Sequence, residues 1–203
     1  MFSGTQVNRG NINKKIQLEE KMNTVIFKWN PAISSYSMSD FLNSIIETEE
    51  DANWSVWDHS DISEGDRFFM LKVGCGINGI VASGTITSAP YQDSDWRGDN
   101  RKVFYCDYKA DVIINPETFD LLSSDVLKQE IPNFDWHGGH SGVILPATDA
   151  ERFITLWNKY LQENFRGFLQ RMADIEKKRF CNDQIFICKS VFYELVIKET
   201  SHD

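Results

Sequence analysis

The sequence contains few of the residues on which metal centres and disulfide frameworks depend. Its 203 residues include four cysteines and four histidines, and no two cysteines have CxxC spacing. Three of the histidines are His59, His137 and His140, and the last two lie in a glycine-rich segment. Such a loop lacks the rigid ligand spacing of a helix. We therefore expect no metal, no cofactor and no disulfide.

Long apolar runs are also missing. No stretch of about 18 uncharged apolar residues occurs, as a membrane-spanning helix would need, and residues 1–22 are polar. The N-terminal segment does not match a secretory signal. We therefore expect a cytoplasmic protein without membrane contact, in which residues 1–22 are disordered or loosely attached.

Positive charge is scarce. Lysine and arginine total 21 against 30 acidic residues, for a net charge of −9, which argues against a protein that coats nucleic acid non-specifically. Residues 23–150 contain 8 basic and 20 acidic side chains (net −12), whereas residues 151–180 contain 7 and 4 (net +3). The basic segment is a candidate for phosphate contact, and an ordinary solvated helix face is the alternative.

Signatures of catalysis are missing as well. No nucleophile elbow lies near the histidines. The glycine cluster at residues 74–79 lacks the helix and the Lys-Ser/Thr pair with which a nucleotide-binding loop cradles phosphate. We therefore expect a protein that is not an enzyme.

The sequence does contain a strong hairpin pattern over residues 65–96. Two runs rich in β-branched and aromatic residues are separated by a glycine-rich link, which is typical of a β-hairpin. Residues 24–29 and 53–57 predict short strands, and the alternation over residues 102–114 predicts a long one. Residues 184–198 predict one or two more strands.

Two helices are predicted from apolar residues at helical spacing. The first covers residues 38–49, with Ser37 or Ser39 as its N-cap. The second is long, from about residue 150 to about residue 180, with an interruption at Gly167.

The tryptophans are the most informative residues for function. Four of the six, Trp54, Trp57, Trp96 and Trp136, fall at predicted strand ends or in loops. A base taken out of a nucleic acid needs aromatic faces to stack on and polar groups to read its edge. For each tryptophan the alternative is a place in the core.

Several segments together resemble the EVE domain of the PUA-like superfamily. The resemblance is carried by Trp54-Ser55, by residues 65–69, and by the run from Gly79 to Tyr91 with Trp96 after it. The chain is especially similar to the EVE-like modules that precede HNH nucleases in bacterial modification-dependent restriction proteins. It resembles YTH readers more distantly. The resemblance covers about residues 24–161.

The resemblance implies an α+β fold of the PUA-like (EVE) type. This is a curved mixed β-sheet or partial barrel with flanking helices and a long C-terminal helix. Residues 23–162 would form the domain, and residues 163–203 would continue the helix and add accessory strands.

The implied function is that of a non-enzymatic reader in a restriction or defence system. It would hold a modified base of nucleic acid, in DNA rather than RNA, and any effector would be a separate protein. The base would lie between Trp54 and Trp96. The side chains expected in the pocket are Trp54, Ser55, Trp57, Asp93, Asp95, Trp96, Trp136 and His137. The side chains expected to contact phosphate are Arg97, Arg101, Lys102, Lys159 and Arg166.

Two other functions stay open at this point. The first is a PUA-like protein-interaction module whose acidic surface binds a basic partner. The second is an RNA-binding accessory protein, because contact with a 2′-hydroxyl leaves no mark in a sequence.

Overall fold

The structure is a computed structural model that describes residues 22–46, 52–98 and 101–179. In chain order its elements are β1 (Thr24–Trp29), α1 (Met38–Ile46), β2 (Ala52–Ser55), β3 (Arg67–Lys72), β4 (Gly79–Ile86), β5 (Tyr91–Ser94), β6 (Lys102–Ile113), β7 (Leu122–Ser123), α2 (Ser124–Glu130), β8 (Val143–Ile144) and α3 (Ala147–Arg179). The strands predicted over residues 184–198, and the segment 1–21, lie outside the described residues.

The strands form one mixed sheet in the order β2-β6-β4-β3-β1-β8. Strand β1 is parallel to β3, and the other pairs are antiparallel. The predicted hairpin is confirmed as β3 and β4, and the predicted long strand as β6. Residues 91–94 form the short strand β5, which pairs with the start of β6.

The sheet curls until its distant strands meet. In a flat sheet, β1 and β2 would lie about 19 Å apart, four strand spacings. The rings of Phe27 in β1 and Trp54 in β2 nevertheless have centroids only 6.2 Å apart. The face that carries both rings is therefore concave, and we call it the inner face. The expected α+β class, with a curved mixed sheet, flanking helices and a long C-terminal helix, is confirmed.

Gly84 makes part of this curvature possible. A Cβ atom at this position would lie 2.0 Å from the Lys109 carbonyl oxygen and 2.5 Å from the Phe68 ring. The register between β4 and β6 also shifts between Ser83 and Gly84. A bulge at a glycine bends a strand and allows another backbone to approach closely.

The helices cover both faces of the sheet. Helix α1 lies at the inner face, where Phe41 stacks on Trp29 with ring centroids 4.8 Å apart. Helix α3 covers the outer face, where Phe153 and Trp157 meet Phe69 edge-on. Side chains alternate along a strand, so neighbouring residues such as Phe68 and Phe69 lie on opposite faces of the sheet.

The helix ends differ only slightly from expectation. The Ser37 hydroxyl accepts a hydrogen bond from the Asp40 amide at 3.2 Å, and the Asp40 carboxylate accepts one from the Ser37 amide at 2.7 Å. Ser37 is therefore the N-cap of α1. Helix α3 begins at Ala147 and continues past the domain boundary expected at residue 162. Its non-helical residue is Phe165, rather than Gly167. Within the described residues, no helix combines the length and apolarity needed to cross a membrane.

A short segment, residues 141–144, joins the two ends of the curled sheet. On one side, the Gly142 amide donates to the Ile26 carbonyl at 3.0 Å. On the other, the Asp58 amide donates to the Gly142 carbonyl at 3.0 Å, and the Ile144 amide donates to the Asp58 carboxylate at 2.8 Å. We call residues 141–144, with residues 56–58, the seam. These bonds link the strand at one end of the sheet to the chain that follows β2 at the other end.

Gly142 is the seam residue at which a substitution should destabilise the fold most. Its φ is +68°, and a Cβ atom there would lie 2.4 Å from Val56 Cα. We expect Gly142→Ala to cost about 2 kcal/mol or more, since left-handed backbone alone costs a non-glycine residue roughly 1–2 kcal/mol. For a chain of this size, the melting temperature should fall by roughly 4–8 °C or more, as measured by scanning calorimetry.

Gly138 supplies the matched control for this substitution. It lies in the same glycine-rich segment, without positive φ, and an added Cβ atom would meet only the Asp135 carboxylate, at 3.5 Å. Gly138→Ala should leave the melting temperature unchanged or raise it slightly. Equal melting temperatures for the two variants would contradict the role of Gly142.

Candidate functional site

A broad cleft of about 1310 Å³ surrounds the edge strand β2. Both Trp54 and Ser55 line it, and neighbouring residues of a strand point to opposite faces. The cleft therefore runs around the edge of β2. Its inner part is lined by side chains of the inner face, among them Tyr36, Trp54, Met70, Tyr108 and Ile113. Its outer part is lined by Trp57, His140 and residues 93–97.

Trp54 is the central side chain of the inner part. Its half-buried ring lies beside Phe27, with centroids 6.2 Å apart and planes inclined by 21°. Tyr36 meets it edge-on at 6.0 Å. The indole nitrogen donates a hydrogen bond to the Ser141 hydroxyl at 2.7 Å. The indole is thereby held in one orientation before any ligand arrives.

Ser141 connects this indole to the seam. Its hydroxyl oxygen accepts hydrogen bonds from the Trp54 indole and from the Lys28 amide, the second at 2.9 Å. A hydroxyl oxygen has two acceptor positions, so both are occupied. Ser141 therefore joins β1, β2 and the seam through one oxygen atom.

The glycine-rich loop before Ser141 is held in place by an acid and a lysine. The Asp135 carboxylate accepts hydrogen bonds from the amides of His137 and Gly138, each at 3.0 Å. These bonds, the first above all, hold the pKa of Asp135 below its ordinary value, and Lys28 contributes. The Lys28 ammonium donates to the Gly138 carbonyl. Burial lowers its pKa, which the Asp135 charge partly opposes.

The outer part of the cleft is organised by Tyr105 and Asp95. The Tyr105 hydroxyl donates to the Ser94 carbonyl and accepts from the Trp96 amide, both at 3.1 Å. The buried Asp95 carboxylate accepts from the Arg97 amide at 3.1 Å and from the Arg101 guanidinium at 2.6 Å. These interactions lower the pKa of Asp95, the Arg97 amide most strongly.

Trp54 and Trp96 both line the cleft, and they approach it from different segments of the chain. Ser55 pairs with Tyr105 across β2 and β6, so both point away from the face that carries Trp54. The Trp96 amide lies against the Tyr105 hydroxyl, which places the Trp96 backbone in the outer part of the cleft. A base held between the two tryptophans stays a prediction.

Trp136, in contrast, does not line the cleft. It is fully buried on the outer face, where its ring is nearly parallel to that of Phe153 and its indole donates to the Ile131 carbonyl at 2.9 Å. The prediction that Trp136 lies in a base-binding pocket is therefore wrong, and the alternative, a place in the core, is confirmed. His137 borders the cleft and is exposed, with its ring nitrogen 3.4 Å from the Asp125 carboxylate.

The remaining polar residues expected in the pocket are on the outer side. Asp93 is exposed and accepts a hydrogen bond from the Ser94 amide. The Asp95 carboxylate already accepts hydrogen bonds from the Arg97 amide and the Arg101 guanidinium. Ser55 lies across β2 from Trp54. None of the three carboxylate or hydroxyl groups shares the inner part of the cleft with Trp54.

The basic residues expected to contact phosphate lie in three places. Arg97 and Arg101 line the cleft, Arg101 in an ion pair with Asp95. Lys102 is exposed at the start of β6. Lys159 and Arg166 belong to α3, and no described residue of this helix lines the cleft.

Tyr36, Tyr108 and Ser141 are the site residues that the sequence analysis missed. Tyr108 lies on the same face of β6 as Cys106. The alternation of side chains along this strand could have indicated that shared face. Tyr36 lies in a serine-rich link, and Ser141 lies among glycines. Neither carries a local signal that would distinguish it from an ordinary loop residue.

The three histidines that the structure describes do not converge on a common point. His140 stacks on Trp57, and His59 stacks on Phe104. Among residues 22–46, 52–98 and 101–179, no group of three or more histidine, cysteine or acidic side chains is arranged to hold a metal ion.

Comparison with known proteins gives similar solved structures only. No protein-family model matches the chain, and no curated protein matches it in sequence. A hypothetical protein from Leishmania major is similar with a TM-score of 0.46 and 13% identity, over 70% of this chain and 98% of that chain. Human THYN1 in complex with DNA containing 5-methylcytosine has a TM-score of 0.43 and 13% identity, over 66% of this chain and 96% of that chain.

The YTH domain of Mmi1 in complex with RNA is similar with a TM-score of 0.42 and 12% identity, over 70% of this chain and 85% of that chain. Similarities of this size carry no argument about function. Membership of the EVE family therefore stays a prediction.

Replacing Ser141 tests its connection to Trp54. Ser141→Ala leaves the Trp54 indole and the Lys28 amide without their acceptor, which should cost about 1–3 kcal/mol. Urea unfolding measures the loss, and the near-ultraviolet circular dichroism should change as the indole gains freedom.

Ser35→Ala serves as the control, since Ser35 is an exposed serine of the same cleft. It should change neither stability nor spectrum. If the two variants behave alike, Ser141 does not hold Trp54.

Proposed function

We propose that the chain is a non-enzymatic nucleic-acid reader that accepts one modified base in the inner part of the cleft, against Trp54. The observation that carries the proposal is the fixed indole of Trp54. Its orientation is set by Ser141, and it lies among Tyr36, Phe27 and Tyr108 in an open cleft. A stacking surface that is already oriented loses little conformational entropy when a planar ring binds.

The lining of the inner part suits a base that carries a small apolar modification. The partly buried Ile113 provides aliphatic surface, against which a methyl group can be buried. The hydroxyls of Ser34 and Ser35 line the same cleft, and each can donate to or accept from the edge of a base. A modified cytosine or adenine would satisfy both kinds of contact.

The charge of the chain supports recognition of the base rather than of the backbone. Residues 23–150 have a net charge of −12, and a polyanion gains little from such a surface. Most of the affinity must then come from stacking, which contributes about 1–3 kcal/mol per base. Unmodified nucleic acid should bind weakly.

Modified DNA is the ligand we propose, with RNA as the alternative to test. The similar structures of THYN1 and Mmi1 contain 5-methylcytosine DNA and RNA, respectively, but the proposal rests on the cleft and on the resemblance of the sequence to EVE domains. The resemblance also suggests a restriction or defence system in which the effector is a separate protein.

Trp54 provides the direct test. Trp54→Ala should weaken binding of an oligonucleotide with 5-methylcytosine or N6-methyladenine by about 5- to 150-fold, the loss of one stacked base. Trp54→Phe keeps an aromatic face and should retain most of the affinity. Fluorescence anisotropy with modified and unmodified DNA and RNA measures both variants.

Equal affinities for the wild type and Trp54→Ala would contradict the proposal. So would binding of a basic peptide with no binding of any modified oligonucleotide at low salt. The second result would instead indicate a protein-interaction module.

Arg97 and Lys159 form a matched pair for phosphate contact. Arg97 is a cation of the cleft, whereas Lys159 lies on α3 and pairs with Glu163 at 3.8 Å. Arg97→Ala should reduce the slope of log affinity against log salt by about 0.7 for a single strand, which corresponds to one lost phosphate contact. Lys159→Ala should leave the slope unchanged, and the reverse pattern would place the backbone on α3.

A further inference from the structure

A second stacked aromatic surface lies on the seam, outside the inner part of the cleft. The rings of Trp57 and His140 are parallel within 4°, with centroids 3.6 Å apart. Trp57 is 59% exposed although it is a large apolar side chain, and both residues line the cleft. One face of each ring is covered by the other, so the exposed area of Trp57 includes its second face.

The backbone holds this pair in place. The Trp57 amide donates to the carbonyls of Ser141 and Gly142 at 3.0 and 3.1 Å, and His140 directly precedes Ser141 in the chain. Asp58, the next residue, accepts from the Ile144 amide. The backbone of Trp57 is therefore held in the seam, and His140 lies directly before the seam segment 141–144 in the chain.

The pair has a defined relation to Trp54. Trp57 follows the end of β2, three residues after Trp54, so at most about 10 Å of chain separates the two residues. The buried Val56 lies between them. Ser141 fixes both, through its hydroxyl for the Trp54 indole and through its carbonyl for the Trp57 amide.

A cation lies in the same outer part of the cleft. The Arg97 guanidinium lies 4.9 Å from the centroid of the Trp96 ring, which is 40% exposed. The guanidinium lines the cleft and is therefore a candidate partner for a phosphate of a strand bound there. The outer part thus combines aromatic surface with positive charge, although the surrounding chain is acidic.

We propose that Trp57 and His140 stack on the nucleotide next to the one whose base enters the inner part. The protein then reads two consecutive nucleotides of a single strand that passes over the edge of β2. The inference rests on the proposed function. It requires a single strand at this step, because a neighbour that is paired in a duplex is held in the base stack, whereas an unpaired neighbour can leave the stack and lie on Trp57.

The test measures binding of the full chain to single-stranded oligonucleotides that carry one modified base. In two further oligonucleotides, an abasic site replaces the neighbour on the 5′ or on the 3′ side. For the wild type, one of these sites should weaken binding by about 5- to 150-fold, the loss of one stacked base. For Trp57→Ala, the same abasic site should change binding less than twofold, because its stacking partner is already missing.

Two further variants complete the cycle. His140→Ala should weaken binding of the intact strand as well, because it removes the ring that supports Trp57. Ile33→Ala is the control: Ile33 is an aliphatic side chain of the same cleft, is 65% exposed, and should show the full abasic effect of the wild type. Melting curves verify that each variant is folded.

The two proposals fail in different ways. If binding depends on Trp54 but neither abasic site nor Trp57→Ala weakens it, the second stacking surface is refuted and the reader remains. If the abasic loss is equally large in Trp57→Ala, the neighbour is bound elsewhere, which also refutes it. If no modified oligonucleotide binds the wild type, the proposed function fails and the inference fails with it.

Discussion

The hydrogen bonds of Ser141 and Gly142 are the constraint on which the rest of the structure depends. They tie the carbonyl and amide groups of β1 to the chain that follows β2, the two ends of the curled sheet. Together with the bulge at Gly84 and the packing of Trp54 on Phe27, they hold these two parts of the sheet against each other. The cleft lies where the two parts meet.

This arrangement couples stability to the site. The Ser141 oxygen that completes the seam also orients the Trp54 indole, and the amide of Trp57 is part of the same set of bonds. Substitutions in the seam should consequently alter both melting temperature and ligand binding, whereas substitutions at the exposed rim should alter binding alone.

Local patterns predicted the elements well because their causes are local. The hairpin of β3 and β4, the alternation of β6, and Ser37 as the N-cap of α1 all depend on residues within one or two turns of chain. The short strand β5 was missed because its polar residues form a strand only through pairing with β6. Trp136 was misplaced because burial depends on α3, which follows it in the chain and covers it.

The sequence by itself determined the α+β class, most of the strands and helices, and the presence of aromatic residues suited to a planar ligand. Only the tertiary structure decided which of these residues share a site. Ser141 is separated by 87 positions from Trp54 and by 113 from Lys28, and no local periodicity reports a contact over such distances. Periodicity does tell which side chains of one strand share a face, but the closure of the sheet determines what that face meets. For this reason Trp54 and Trp96, both plausible from the sequence, lie in different parts of the cleft.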